Sequence, residues 1–130
     1  MRAADVEQAL KSHMKVNLAP EKLAGRVFYS TPEGSPAYPL VTLSQVGGGV
    51  DELLEFPRIS FDCWASKKED ASDVKRALLD YLNGLGGKWL DATTHVYTVQ
   101  DIAVLYLREP ESKLCRYIVD VTVNAATRTP

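Results

Sequence analysis

The stretch from Pro57 to Leu85, PRISFDCWASKKEDASDVKRALLDYLNGL, changes its hydrophobic period partway from two residues to 3.6, and this leaves few choices for the fold around it. Ile59, Phe61 and Cys63 alternate with Arg58, Ser60 and Asp62, so a strand here carries three apolar side chains on one face, and Trp64 closes it on the other. Ser66 followed by Glu69 has the spacing of a capping box, which places a helix start near Lys67. Val74, Ala77, Leu78, Tyr81 and Leu85 then recur at steps of three and four, with Asp73, Arg76, Asp80 and Asn83 opposite. Gly84 is placed to end the helix in the left-handed conformation, with Leu85 folding back onto the last turn. A strand that feeds a one-sided helix calls for a sheet with one covered face.

The flanking segments supply the rest of that sheet. Asp5, with Gln8 three residues later, caps a first helix whose stripe is Val6, Ala9, Leu10, His13 and Met14, and Glu7 and Lys11 form an i,i+4 pair on its outer side. His13 has no carboxylate or second histidine in its pattern, so it reads as a packing residue. Residues 17 to 25 form a turn with one helical loop, because Pro20 suits a first helical position and Gly25 a stop; Val27 to Tyr29 is a short strand. TPEGSPAYP at 31 to 39 is a surface loop, either a plain connector or a partner contact. Leu40 to Val46 resumes a strand, which the glycines at 47 to 49 end. VDELLEF at 50 to 56 is either a hairpin arm extending two strands or an apolar protrusion that docks on another chain. Gly86 to Leu90 is a loosened connection. Residues 95 to 108 and 114 to 124 then form a β-hairpin around EPESK. Tyr117, Val119, Val121 and Val123 face one side, covered by helices, while Arg116, Asp120, Thr122 and Asn124 face the other. The ending AATRTP is frayed.

At 130 residues and 45% hydrophobic content, the chain fits a single domain with one core. Fifteen basic against 17 acidic residues leave a net charge of -2, which provides no field for steering to phosphate backbones or anionic membranes. No apolar run reaches the roughly 20 residues that span a bilayer, and MRAADVEQAL lacks a signal peptide's hydrophobic region, so a soluble cytosolic protein is expected. Cys63 and Cys115 lie in strand-like stretches and read as small buried hydrophobes rather than a disulfide or metal pair. No HExxH, GxSxG, dinucleotide or Walker loop is present, and the glycines at 47 to 49 lack the GK[ST] and the following helix of a phosphate cradle. Asp62 and Asp120 are a carboxylate dyad if their strands are neighbours; the plainer expectation is sheet-face charges, solvated or paired with Arg58 and Arg116. No catalytic residue, cofactor or metal ligand is assigned.

Pro39 to Leu43 (PLVTL), Pro57 to Ala65 (PRISFDCWA), Ala71 to Leu82 (ASDVKRALLDYL) and Arg116 to Val123 (RYIVDVTV), in this order, resemble the tail terminator, or tail completion, proteins of long-tailed bacteriophages. The match covers roughly the last two-thirds of the chain and lies in strand and helix patterns rather than in catalytic letters; residues 84 to 94 match nothing in that family. The resemblance implies an α+β domain: a mostly antiparallel sheet, two main helices on one face and a long projecting hairpin loop. It implies a non-enzymatic virion protein that forms a hexameric ring at the head-proximal end of the tail tube, ends tail polymerisation and joins the tail to the head. Its partners would be further copies of itself, the major tail tube protein and the head-tail connector protein, with no membrane and no sequence-specific nucleic acid. It would reside in the virion tail after assembly in the bacterial host cytoplasm. For that role, Val50, Asp51, Glu52, Leu53, Leu54, Glu55 and Phe56 are the candidate protein interface, and Asp62 and Asp120 the candidate inner surface. No family motif assigns either set. The alternative is a small α+β domain that binds a ligand or peptide between helix and sheet, which requires a concave pocket instead of outward apolar contacts.

Overall fold

The computed structural model describes residues 6–32, 34, 36–50, 55–108 and 113–127. The elements are α1 (Val6–Asn17), α2 (Pro20–Leu23), β1 (Val27–Phe28), β2 (Leu40–Val50), β3 (Glu55–Ala65), α3 (Lys68–Asn83), β4 (Thr94–Arg108) and β5 (Cys115–Thr127). The five strands form one sheet in the order β1-β2-β3-β5-β4, antiparallel except for the short β1–β2 pair, so the fold is α+β.

The strand patterns and the helical stripes point at each other. Val41 and Leu43 of β2, Ile59, Phe61 and Cys63 of β3, and Val119, Val121 and Val123 of β5 are all buried on one face. Against them pack Val6, Ala9, Leu10 and Met14 of α1 and Val74, Leu78 and Leu82 of α3. Each large side chain fully removed from water in this layer stabilises the fold by about 1.5–3 kcal/mol before the entropy of ordering is charged against it. Burial lifts the Cys63 thiol to about 12, so it sits in this core as a neutral apolar group.

Several local expectations change. The Ser66–Glu69 capping box does not form: α3 begins one residue later, with extended Lys67 as its N-cap, and a lysine has no acceptor to offer the first turn. Gly84 is not left-handed, at φ −90° and ψ 0°; its N–H donates to Asp80 O, and the Leu85 N–H donates to Leu82 O in a tightened last turn. Leu85 does fold into the core. Glu7 and Lys11 do not pair with each other. The Glu7 carboxylate accepts the backbone N–H of Gln45, and Lys11 Nζ stands 4.3 Å from the centre of the Tyr29 ring, so both side chains tie α1 to the edge of the sheet. Asp5, the expected N-cap of α1, lies outside the described residues, as do residues 128–130 of the ending expected to fray; its first three residues, 125–127, are instead paired with β4 as the last of β5.

The glycines at 47 to 49 do not end β2. The strand bulges between Gln45 and Gly47 and continues to Val50, which pairs with Glu55. Gly48 has φ +114°, and a Cβ built on it would lie 2.5 Å from both Phe56 O and Pro57 Cα, so only glycine lets the two arms approach here. The connection after α3 is tight rather than loosened. Leu90 N–H bonds Thr94 O, Val96 N–H bonds Lys88 O, and Asp91 Oδ1 accepts the N–H groups of Thr93 and Thr94, closing a small hairpin ahead of β4. Burial raises the Asp91 pKa, but these hydrogen bonds outweigh it and hold it below the usual carboxylate range.

Replacing Gly48 with Ala is expected to destabilise the β2–β3 arm by about 1–3 kcal/mol, the cost of a strained φ together with a backbone clash. Amide exchange should read this as faster exchange in residues 45–50 and 55–58, and unchanged exchange there would contradict the close approach.

Candidate interaction surface

The face of the sheet opposite the helices carries Ser60, Asp62 and Trp64 of β3 and Arg116, Ile118, Asp120 and Thr122 of β5. β3 and β5 are neighbours, with Ser60 opposite Asp120 and Asp62 opposite Ile118, so the two aspartates lie diagonally across one strand pair. Arg116 comes within 3.8 Å of Asp62 and lies over the Trp64 ring, its guanidinium carbon 4.8 Å from the ring centre. Burial lifts the Asp62 pKa; Arg116 opposes the shift and Asp120 adds to it. The expected pairing thus holds for Asp62 with Arg116. It does not hold for Arg58, which donates to the Asp101 carbonyl at 2.9 Å and the Thr122 hydroxyl at 3.1 Å. Among the described residues Asp120 Oδ1 is buried without a hydrogen-bond partner.

Of the candidate interface at 50 to 56, Val50 and Glu55 are the last pair of the β2–β3 ladder, and Phe56 is partly buried opposite Gly49. The hairpin arm is therefore formed. Asp51, Glu52, Leu53 and Leu54 lie outside the described residues.

Among the described residues the exposed apolar side chains concentrate on β4. Among those residues β5 is the one strand of the sheet beside β4, with a bridge from Trp89 to His95 at its start, and Tyr97, Ile102, Val104, Leu105 and Leu107 all stand exposed on β4. Leu105 and Leu107 share the open face with Ile118 and Arg116, while Val104 faces the helix side opposite Val119. Val104 is exposed nonetheless because α3 packs chiefly over β3 and β5, leaving β4 beyond its footprint. Bulges at Val96–Thr98 and Gln100–Ala103, the second with Asp101 at φ +56°, bend the strand. Sequence reasoning passed over these residues. IAVLYL is a continuous apolar run, which reads as a strand buried on both faces, and nothing in the run says that it takes an edge position.

A cleft of about 520 Å³ opens where the C-terminal ends of α1 and α3 meet, lined by His13, Asn17, Asp80, Tyr81 and Lys88 over Leu18 and Leu85. His13 Nδ1 and the Tyr81 hydroxyl share a 2.6 Å hydrogen bond across the two helices, so His13 packs as expected and also bridges them. Burial raises the Tyr81 pKa, and burial followed by the Lys88 charge lowers that of His13. His95 stacks edge-on between Trp89 and Tyr97, far in sequence from either aspartate. Among the described residues no three of His, Cys, Asp and Glu converge to hold a metal ion, and no helix is long and apolar enough to cross a membrane.

No family model matches the sequence, and no curated protein matches it. Among solved structures, the fold matches a chain from the virion of a native gene transfer agent particle, with a TM-score of 0.66 over 95% of this chain and 99% of that one. At 18% identity this likeness is one of fold, and it runs nearly end to end in both chains.

Because the folded state holds the His13 pKa below 6.5, the unfolded chain takes up a proton first as pH falls. Stability is therefore expected to drop as pH goes down through 6.5 toward the folded pKa, and to be unaffected by this group above it. Urea midpoints at pH 7.5, 6.5 and 5.5 measure the slope, which His13→Gln should flatten; an equal slope in the variant would assign the effect elsewhere.

Proposed function

We propose that this chain is a structural protein of a phage-like virion that caps the tail tube as a ring, ends tail polymerisation and presents a surface to the head connector. The observation that carries this reading is the nearly end-to-end fold match with a chain of a virion particle. The particular role within the tail comes from the sequence resemblance. The surface supports it: apolar side chains are exposed along a sheet edge, as an assembly protein needs, and the β2–β3 ladder carries residues 50 and 55 to one end of the sheet. On this reading the chain works without catalysis. Residues 50 to 56 reach a neighbouring subunit or the tube, and the open sheet face with Asp62 and Asp120 turns toward the hydrated lumen. The partners are further copies of the chain, the major tail tube protein and the connector.

A ligand-binding reading has one observation in its favour, the cleft lined by His13, Tyr81 and Lys88. Its mixed walls offer an apolar floor and converging polar groups.

Purified chain added to polymerising tail tube protein distinguishes the two. Electron microscopy should show rings at one end of each tube and a narrower spread of tube lengths. A chain that neither binds tube ends nor changes tube length would overturn the capping role. Leu53→Ser with Leu54→Ser is expected to leave the melting temperature within about 2 °C, as for exposed substitutions, while reducing tube-end occupancy. A large loss of stability would instead put these leucines in the core.

A further inference from the structure

The exposed large apolar side chains are unevenly distributed. Of the nine among the described residues, five lie on β4 at one edge of the sheet (Tyr97, Ile102, Val104, Leu105 and Leu107), and two, Tyr29 and Val46, lie at the opposite edge beside β1 and on β2. The two edges also run in opposite directions. β2 is antiparallel to β3, β3 to β5 and β5 to β4, so β4 runs against β2 and against β1, which is parallel to β2. When identical copies are set side by side with the same face inward, β4 of one therefore meets β1 of the next in the antiparallel sense. Such a contact uses different surfaces on the two partners, and a contact of that kind closes into a ring when its rotation fits.

We infer that the β4 edge of one copy docks on the β1–β2 edge of a second copy, extending the sheet from subunit to subunit. This rests on the assembly reading above and gives it a specific subunit contact. The occupant is a second copy because both halves of the contact are present on one chain, on opposite edges and in matching direction. Residues 87–90 take the outward backbone groups of Thr94 and Val96, but beyond Tyr97 the outward groups of β4 have no strand beside them among the described residues, and these supply the hydrogen bonds. The five β4 side chains are 36–56% exposed. They amount to on the order of 400 Å², about half of what each partner in a stable interface buries. The contact is accordingly weak for an isolated pair and strengthens when a ring or a tube end holds several copies together.

The opposite edge is built to receive a strand only in part. Glu7 already caps the Gln45 N–H, and β1 covers β2 at Val41 and Thr42, so the incoming β4 lies along β1 and the Tyr29 side chain rather than along the whole of β2.

Disulfide trapping tests this. Tyr29→Cys is combined in one chain with Ile102→Cys, Val104→Cys or Leu105→Cys, and the protein is oxidised mildly at high concentration and again with tail tube protein present. Cys63 and Cys115 are buried and stay out of the reaction. At least one combination should give a ladder of linked multimers on a non-reducing gel, and Val16→Cys with Leu105→Cys, which places one cysteine off both edges, should not. Leu105→Lys with Leu107→Lys should lower the sedimenting oligomer at least tenfold with its fold intact; Leu105→Thr serves if the double variant does not fold. Oligomers that form without a ladder overturn the edge contact and leave the assembly reading standing. Linked dimers from Leu105→Cys alone would mean a two-fold β4–β4 contact and would likewise overturn it. A chain that stays monomeric even with tubes present removes both.

Discussion

The pairing of β3 with β5 decides the rest of the molecule. Their register sets Ile59, Phe61 and Cys63 on the same face as Val121, Val119 and Tyr117, and a slip of one residue would turn every one of them toward water. Once this face exists, α1 and α3 have one place to bury their stripes, and β2 joins on one side and β4 on the other. The same register gathers the polar residues of both strands on the opposite face. Asp62, Asp120 and Arg116 are neighbours there because the apolar residues between them had to be neighbours on the other side.

This explains which parts of the structure were legible in the amino-acid sequence. Period-two and period-3.6 patterns report burial directly, so the faces of β3, α3 and β5 could be read residue by residue, and so could their antiparallel hairpins. Signals that depend on one backbone angle or one competing partner could not. Ser66 and Glu69 have the right spacing for a capping box, but a start one residue later leaves Lys67 in the capping position. Glu7 and Lys11 are correctly spaced on a helix, but Gln45 and Tyr29, remote in sequence, compete for them and win. At Gly48 the chain needs glycine to keep pairing, whereas glycine in a sequence usually marks where pairing stops. The exposed β4 surface was the largest omission. Its apolar run is indistinguishable in composition from a central strand, and only the strand order puts it at the edge.

The two sheet edges are treated differently, and the difference bears on function. The β2 edge carries common protections against unwanted pairing: a short covering strand, a carboxylate on a backbone N–H and a glycine-containing bulge. β4 has bulges as well, but between Asp101 and Arg108 it shows six residues with no charge and no proline. A monomer that left such a strand open would risk aggregation whenever it was concentrated. A chain whose working state has that strand covered would not, and the apolar residues then contribute to the assembly instead of threatening it.

Weakness of the single contact is consistent with this arrangement. When two free copies associate, one contact must offset the whole loss of translational and rotational freedom, and a half-sized interface does not. When the last copy enters a ring it makes two contacts at once, and the second forms between groups already held together. Assembly is then controlled by whatever first brings several copies into position. On the proposed function that is the end of the tail tube, so the chain stays dispersed in its absence and closes only where polymerisation has to stop.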